Sequence, residues 1–183
     1  MVYKNFYKRL FLSLLFLAVL FIALNNKPLL FIIGTYIYLF ILCEILIFFK
    51  KLFKLILFYF FVSYLCFVLY FFNFYDYIFF NILTFTIILF DSFSYFTGKF
   101  FGKNYIFISI SPKKTLEGYL GGIFLTNISY IFYFYFFNFK INFIELMLIV
   151  NLTIVISICG DLLESFFKRK NNIKDSSKYL PGH

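Results

Sequence analysis

Apolar residues run along this chain in long blocks separated by short polar clusters, and no stretch of about ten residues alternates between apolar and polar positions. Six blocks, at about residues 10–25, 29–49, 53–72, 77–97, 118–138 and 142–161, meet or approach the roughly 20 apolar residues that a helix needs to cross a bilayer core. Only helices and closed barrels satisfy the backbone inside hydrocarbon, and a barrel would require alternating strands. The pattern therefore predicts an all-α fold, a polytopic transmembrane helix bundle of about six spans. The first block is short, and its start, KNFYKRLFLSLLFLAVLF, resembles a signal peptide. The IALNNKPLL that follows offers no small-residue cleavage site, so the block reads as a retained anchor.

Composition agrees with this reading. The 183 residues are 63% hydrophobic and 27% aromatic, well above the roughly half apolar content of a soluble domain. A net charge of +9 would suit nucleic acid if it formed a basic face on a soluble fold, but here the cations fall in clusters between apolar blocks, so no nucleic-acid partner is expected. All but two of the 17 Lys and Arg residues lie before the first block, between the second and third, after the fourth, or after the sixth. Only Lys27 and Lys140 remain for the other face, which predicts cytoplasmic termini and an even number of spans. The three cysteines, Cys43, Cys66 and Cys159, sit far apart inside apolar blocks with no metal-site spacing and read as packing residues. Two polar segments, 98–117 and 162–183, interrupt the membrane pattern on the cytoplasmic side. The chain accordingly divides into residues 1–90, three N-terminal spans, and residues 91–183, where the polar chemistry gathers.

An ionised side chain in the middle of a membrane helix costs about 2.5–3.5 kcal/mol on insertion scales, so acidic residues in or beside the blocks require a reason. Glu44 lies late in its block, near Lys50 and Lys51, where a local ion pair or snorkelling accounts for it. Asp91 opens DSFSYFTGKFFGKN, whose Ser92, Ser94, Thr97 and Gly98 break the apolar run; a wet cavity and a tightly packed partner helix are both compatible with that. Asp161 opens GDLLESFFKRK. On a continuing helix Asp161, Glu164, Ser165 and Lys168 share one face, and two carboxylates there call for a cation between them. In SPKKTLEGYLGG, residues 111–122, Pro112 sets a turn, Thr115 caps the following helix, and Gly118, Gly121 and Gly122 permit close packing. Lys113 and Lys114 then stand near a helix N-terminus, an arrangement that suits phosphate, although anionic headgroups would attract them as well. Acids for a metal and cations for phosphate on one side of a membrane fit phosphoryl or nucleotidyl transfer. No P-loop, G-x-S-x-G or H-E-x-x-H motif points elsewhere.

These residues resemble the phosphatidate cytidylyltransferases, or CDP-diacylglycerol synthases. DSFSYFTGKFFGKN is similar to D-[TS]-x-A-Y-[FL]-x-G-[RK]-x-[FL]-G-[KR], with Ser94 at the usual Ala. SPKKTLEGYLGG is similar to S-P-[KN]-K-T-x-E-G-x-x-G-G, with Leu116 where Trp is frequent. GDLLESFFKRKNNIKDSSKYLPGH is similar to the start of the family signature. The resemblance covers residues 91–183 and implies transfer of a cytidylyl group from CTP to phosphatidic acid, giving CDP-diacylglycerol and pyrophosphate. It implies Mg2+, with K+ or another monovalent cation beside it, held by Asp91, Asp161 and Glu164. Asp161, Lys168, Arg169 and Asp175 take catalytic roles, and Lys113, Lys114, Ser165 and Lys174 bind substrate. It further implies membrane-lipid contacts, a homodimer, and a bacterial inner-membrane enzyme whose site faces the cytoplasm. The family signature continues past PGH with G-G-x-x-D-R-x-D, whereas this sequence stops at His183, so the catalytic segment is expected to be cut short. Two alternatives stay open: a split or inactive fragment serving as a non-catalytic membrane subunit, and CTP-dependent transfer to an isoprenoid lipid.

Overall fold

A computed structural model of the protein describes residues 22–112, 114–136 and 141–173; its regular structure there is helical, joined by turns and irregular segments, with one isolated bridge between Tyr105 and Thr115. Five long helices follow one another: α1 (Lys27–Phe48), α2 (Phe53–Leu69, extended by a wide π turn over Tyr70–Phe74), α3 (Tyr77–Phe101), α4 (Leu116–Phe136) and α5 (Phe143–Lys170). Apart from its last residues, the predicted span at 10–25 lies outside the described residues. Four helices, Lys27–Phe48, Phe53–Phe74, Tyr77–Phe101 and Phe143–Lys170, are long and apolar enough to cross a membrane. The helix over the fifth predicted span, α4, is not among these four; Gly, Thr, Asn and Ser interrupt the apolar residues along it.

Local chemistry sets the helix ends. The Asn26 side chain accepts a hydrogen bond from the Leu29 N–H at 3.3 Å and caps α1, with Pro28 in the first turn where a missing N–H costs nothing. Towards the other end of the chain α5 runs on to Lys170, past the apolar block that ends at 161, as the shared face of Asp161, Glu164, Ser165 and Lys168 requires. Three basic residues in its last turn complement the helix dipole. Asn172 then takes a left-handed conformation (φ 58°), and the Ile173 and Asn172 N–H groups return to the Lys168 and Arg169 carbonyls at 2.9 and 3.1 Å. This is the Schellman closure that ends many helices.

The chain forms two compact units. One comprises Met1–Ile47 and Lys54–Tyr77, the other Phe48–Phe53 and Ile78–His183. Within the first, α1 and α2 meet along an aromatic seam. Phe31 stacks on Phe67 at 5.8 Å between centroids, Phe67 meets Phe71 at 4.8 Å, and Tyr38 meets Tyr64 at 5.2 Å. Gly34 makes room for this, since a Cβ there would fall 2.3 Å from the Phe67 ring.

In the second unit the core is formed by Ile82, Phe90, Tyr130, Leu146, Val150 and Ile154. The buried Tyr130 hydroxyl donates to the Ile82 carbonyl at 3.0 Å and lies 2.9 Å from the Thr86 hydroxyl, so it brings no unsatisfied polar atom into the core. Across α4 and α5, Asn127 and Asn151 exchange amide hydrogen bonds at 3.2 and 3.0 Å. Polar side chains in a membrane helix find their partners in this way on the neighbouring helix. Between α3 and α4 the contact is made by small residues, as the sequence predicts. A Cβ on Gly118 would lie 3.0 Å from the Ser94 carbonyl oxygen and 3.2 Å from the Gly98 Cα, and one on Gly121 would lie 2.6 Å from the Thr97 Cβ. Thr97 also donates to the Gly118 carbonyl at 3.1 Å. Two backbones this close leave no space for a methyl group. Gly121→Ala is therefore expected to destabilise the protein by about 1–3 kcal/mol through overpacking. Gly160→Ala, on α5 with no atom within 4 Å of the new Cβ, should be neutral or slightly stabilising. Unfolding from mixed micelles with a denaturing detergent measures both.

Candidate functional site

The close α3–α4 contact shapes one wall of a cavity of about 700 Å³ in the second unit. From α3 come Asp91, Ser94, Tyr95, Gly98 and Lys99; from the connecting segment Gly102, Tyr105, Ser111, Pro112 and Lys114. Thr115, Gly118 and Tyr119 of α4 and Asp161 of α5 complete it. Residues far apart in sequence thus deliver two carboxylates, two ammonium groups and three phenols to one space.

The 102–115 segment is fixed from both sides. Thr115 caps α4 as predicted, its hydroxyl accepting from the Gly118 N–H at 3.2 Å, and the Leu116 N–H donates to the Asn104 carbonyl at 2.9 Å. The Glu117 carboxylate accepts from the Lys103 N–H at 3.1 Å, from the Asn104 N–H at 3.2 Å and from the Asn104 side-chain amide at 2.7 Å. On the far side the Arg169 Nε donates to the Ile110 carbonyl at 3.2 Å.

Lys114 crosses the cavity to form an ion pair with Asp161. Its ammonium also lies 5.6 Å from the centroid of the Tyr119 ring. Burial by itself would lower the pKa of this lysine, but the hydrogen bond and charge of Asp161, aided by Tyr119, outweigh burial and raise it. Lys114 accordingly stays charged, and its contribution to stability is present at neutral pH and lost only as pH rises through the elevated value. Asp91 feels the charges of both Asp161 and Lys114.

The other predicted residues separate into two sets. Glu164 and Lys168 form an i, i+4 ion pair at 2.5 Å, Ser165 lies one turn beyond Asp161, and Arg169 holds the loop; none of the four lines the cavity. Lys113, Lys174 and Asp175 fall outside the described residues. Sequence reasoning passed over Tyr95, Lys99, Tyr105, Tyr119 and Glu117. A signal for two of them was available, because Asp91, Tyr95 and Lys99 recur at four-residue steps and so share a helix face.

The donor set fits magnesium. Mg2+ usually takes one or two carboxylates and completes its shell with water and substrate phosphate, and Asp91 and Asp161 supply two. Among the described residues no group of three or more His, Cys, Asp or Glu gathers, so such an ion would depend on phosphate oxygens.

Fold and cavity define the class: an α-helical integral membrane protein with an acidic and lysine-bearing site between its helices. The chain belongs to the cytidylyltransferase family, whose sequence profile matches residues 1–183. It is 40% identical over 96 residues to the phosphatidate cytidylyltransferase of Staphylococcus aureus (strain COL), a match covering 51% of this chain and 36% of that protein. Identity to the phosphatidate cytidylyltransferase of Haemophilus influenzae is 37% over 97 residues, or 51% of this chain and 34% of the relative. For that of Bacillus subtilis it is 41% over 93 residues, or 51% and 35%. The matched stretch thus spans about a third of the length of these relatives.

Glu117 provides a test of how the cavity wall is held. Hydrogen bonds from its own N–H, from Lys103 and from Asn104 keep its carboxyl below the ordinary glutamate range. A depressed carboxyl contributes stability above its unfolded pKa and loses it as pH falls through the folded value. Hydrogen exchange should therefore show protection of the Lys103 and Asn104 amides falling at acid pH, below roughly pH 4. In Glu117→Ala the protection should already be low at neutral pH and respond little to acid. Equal protection in the two proteins would show that the carboxylate does not hold the loop.

Proposed function

We propose that this chain carries the nucleotide-handling centre of a phosphatidate cytidylyltransferase at the cytoplasmic face of a bacterial inner membrane. An oxygen of the phosphatidic acid phosphate attacks the α-phosphorus of CTP, the new P–O bond forms as the bond to the β-phosphate oxygen breaks, and pyrophosphate leaves. The observation that carries this reading is the meeting of Asp91, Lys114 and Asp161, from three separate motifs, in one cavity. The family membership and the names of the relatives support the choice of CTP and phosphatidic acid. The bias of lysine and arginine toward one side supports the cytoplasmic placement.

Each residue has a role in that reading. Asp91 and Asp161 would hold Mg2+, which when bound would offset charge on the phosphates and the departing pyrophosphate. Asp161 also aims Lys114, whose ammonium approaches the α- or β-phosphate of the nucleotide. Tyr119 backs Lys114 with its ring and limits its rotamers. On the following turns of α5, Lys168 and Arg169 take the outer phosphates, with Ser165 and Glu164 as hydrogen-bonding support; the family resemblance adds Lys113 and Lys174 as substrate-binding residues and Asp175 as a catalytic one. Such a site acts through positioning and charge rather than covalent chemistry.

Labelled CTP and phosphatidic acid test the assignment directly. Asp91→Asn and Asp161→Asn are each expected to lower cytidylyl transfer by about 10²-fold or more, and Lys168→Ala by about tenfold. Near-wild-type turnover in Asp161→Asn would remove the acid from the centre of the reaction.

A further inference from the structure

The cavity contains a second cation with no role in the argument so far. Two ion pairs occur among the described residues, Lys114 with Asp161 and Lys168 with Glu164. Of the two lysines among the described lining residues, Lys114 is therefore committed to a carboxylate and Lys99 is not. The Lys99 ammonium instead lies 5.9 Å from the centroid of the Tyr95 ring, one turn back on α3. That contact uses the π face and leaves all three N–H donors available.

Surroundings indicate what Lys99 meets. Beside it on α3, Phe100 and Phe101 are 72% and 68% exposed, Tyr95 and Phe96 are exposed too, and across the loop Ile106 and Ile108 show the same apolar surface. On a helix that spans a membrane such a surface belongs against lipid, and a lysine at the helix end extends toward the headgroups. Lys99 thus stands where lipid-facing surface turns into polar cavity. The ribose and triphosphate of a nucleotide have no use for that apolar rim. A phosphate monoester attached to acyl chains has a use for both, with its tails along Phe96 and Phe100 and its headgroup oxygens on the ammonium.

We propose that Lys99 is the residue that takes up the phosphate monoester of the lipid substrate at the membrane-facing rim of the cavity, leaving Lys114 to the nucleotide. The assignment rests on the cytidylyltransferase reading for the identity of that lipid. It separates the two phosphates of the reaction onto two lysines, one on α3 and one preceding α4.

Binding can be followed without turnover. The full chain in detergent micelles is titrated with phosphatidic acid, phosphatidylcholine, CTP and inorganic phosphate, and bound species are counted by native mass spectrometry. Wild type should prefer phosphatidic acid to phosphatidylcholine. Lys99→Gln should weaken phosphatidic acid binding about tenfold while CTP binding changes less than about twofold, and Lys99→Arg should recover most of the loss. Unchanged phosphatidic acid binding in Lys99→Gln, an equal loss for CTP, or no lipid preference in wild type would each overturn the proposal. So would inorganic phosphate binding with the same dependence on Lys99, which would make the site one for free phosphate. Lysine-dependent lipid binding in a chain that transfers nothing from CTP would uphold the proposal and reject the cytidylyltransferase reading. Transfer with an unchanged KM for phosphatidic acid in Lys99→Gln would do the reverse.

Discussion

A carboxylate on a membrane helix is tolerable only with a counter-charge or with water, and the Lys114–Asp161 ion pair meets that requirement at the junction of three elements. Lys114 belongs to the polar segment before α4, Asp161 to α5, and Asp91, which feels both charges, to α3. The same contact that makes Asp161 acceptable in its helix also pins the segment that roofs the cavity. Paired charges that are partly exposed are individually weak. Their value here is geometric, because they fix which face of α5 meets the cavity and which way the lysine points.

That geometry relies on a rigid support. Gly98, Gly118 and Gly121 let α3 and α4 approach backbone to backbone, so the angle between Asp91 on one helix and the capped start of the other is set by contact rather than by flexible side chains. Around it, Glu117 gathers three N–H donors from Lys103 and Asn104, and Arg169 ties Ile110 to the end of α5. A loop whose amide N–H groups are held by one helix and whose Ile110 carbonyl is held by another resists rearrangement when an anion enters. Preorganisation of this kind favours charge stabilisation in transfer reactions.

Much of this was legible in the sequence, because the relevant signals are local or follow from composition. The Thr115 cap, the small residues opposite α3 and the continuing acidic face from Asp161 depend on spacing within a few residues. Where α5 ends was less legible: the shared face carries the helix as far as Lys168, but the stop itself depends on Asn172 adopting a left-handed turn, which residue spacing does not state. Least legible was the choice of partner. Lys168 and Lys114 look alike as lysines near acids, yet one closes on Glu164 within its own helix and the other on Asp161, 47 residues away. Sequence spacing states the first option and is silent on the second. Lys99 was passed over for a similar reason. In sequence it serves as one more positive-inside lysine; its spacing puts it on the Asp91 face of α3, but only the fold shows that this face lines a cavity.

The charge balance of the cavity connects these details. Among the described lining residues, two carboxylates, Asp91 and Asp161, stand against two ammonium groups, Lys99 and Lys114, so the formal sum is zero. Such a neutral set can sit beside lipid without the desolvation cost of a net charge in a low dielectric. A bare nucleoside triphosphate would upset this balance by bringing several negative charges, more than two lysines offset while one remains paired to Asp161. Arrival together with a divalent cation would cancel two of those negative charges. A magnesium ion would ease this charge imbalance in the proposed reaction, and Asp91 and Asp161 are the carboxylates that would hold it together with the substrate's own phosphates.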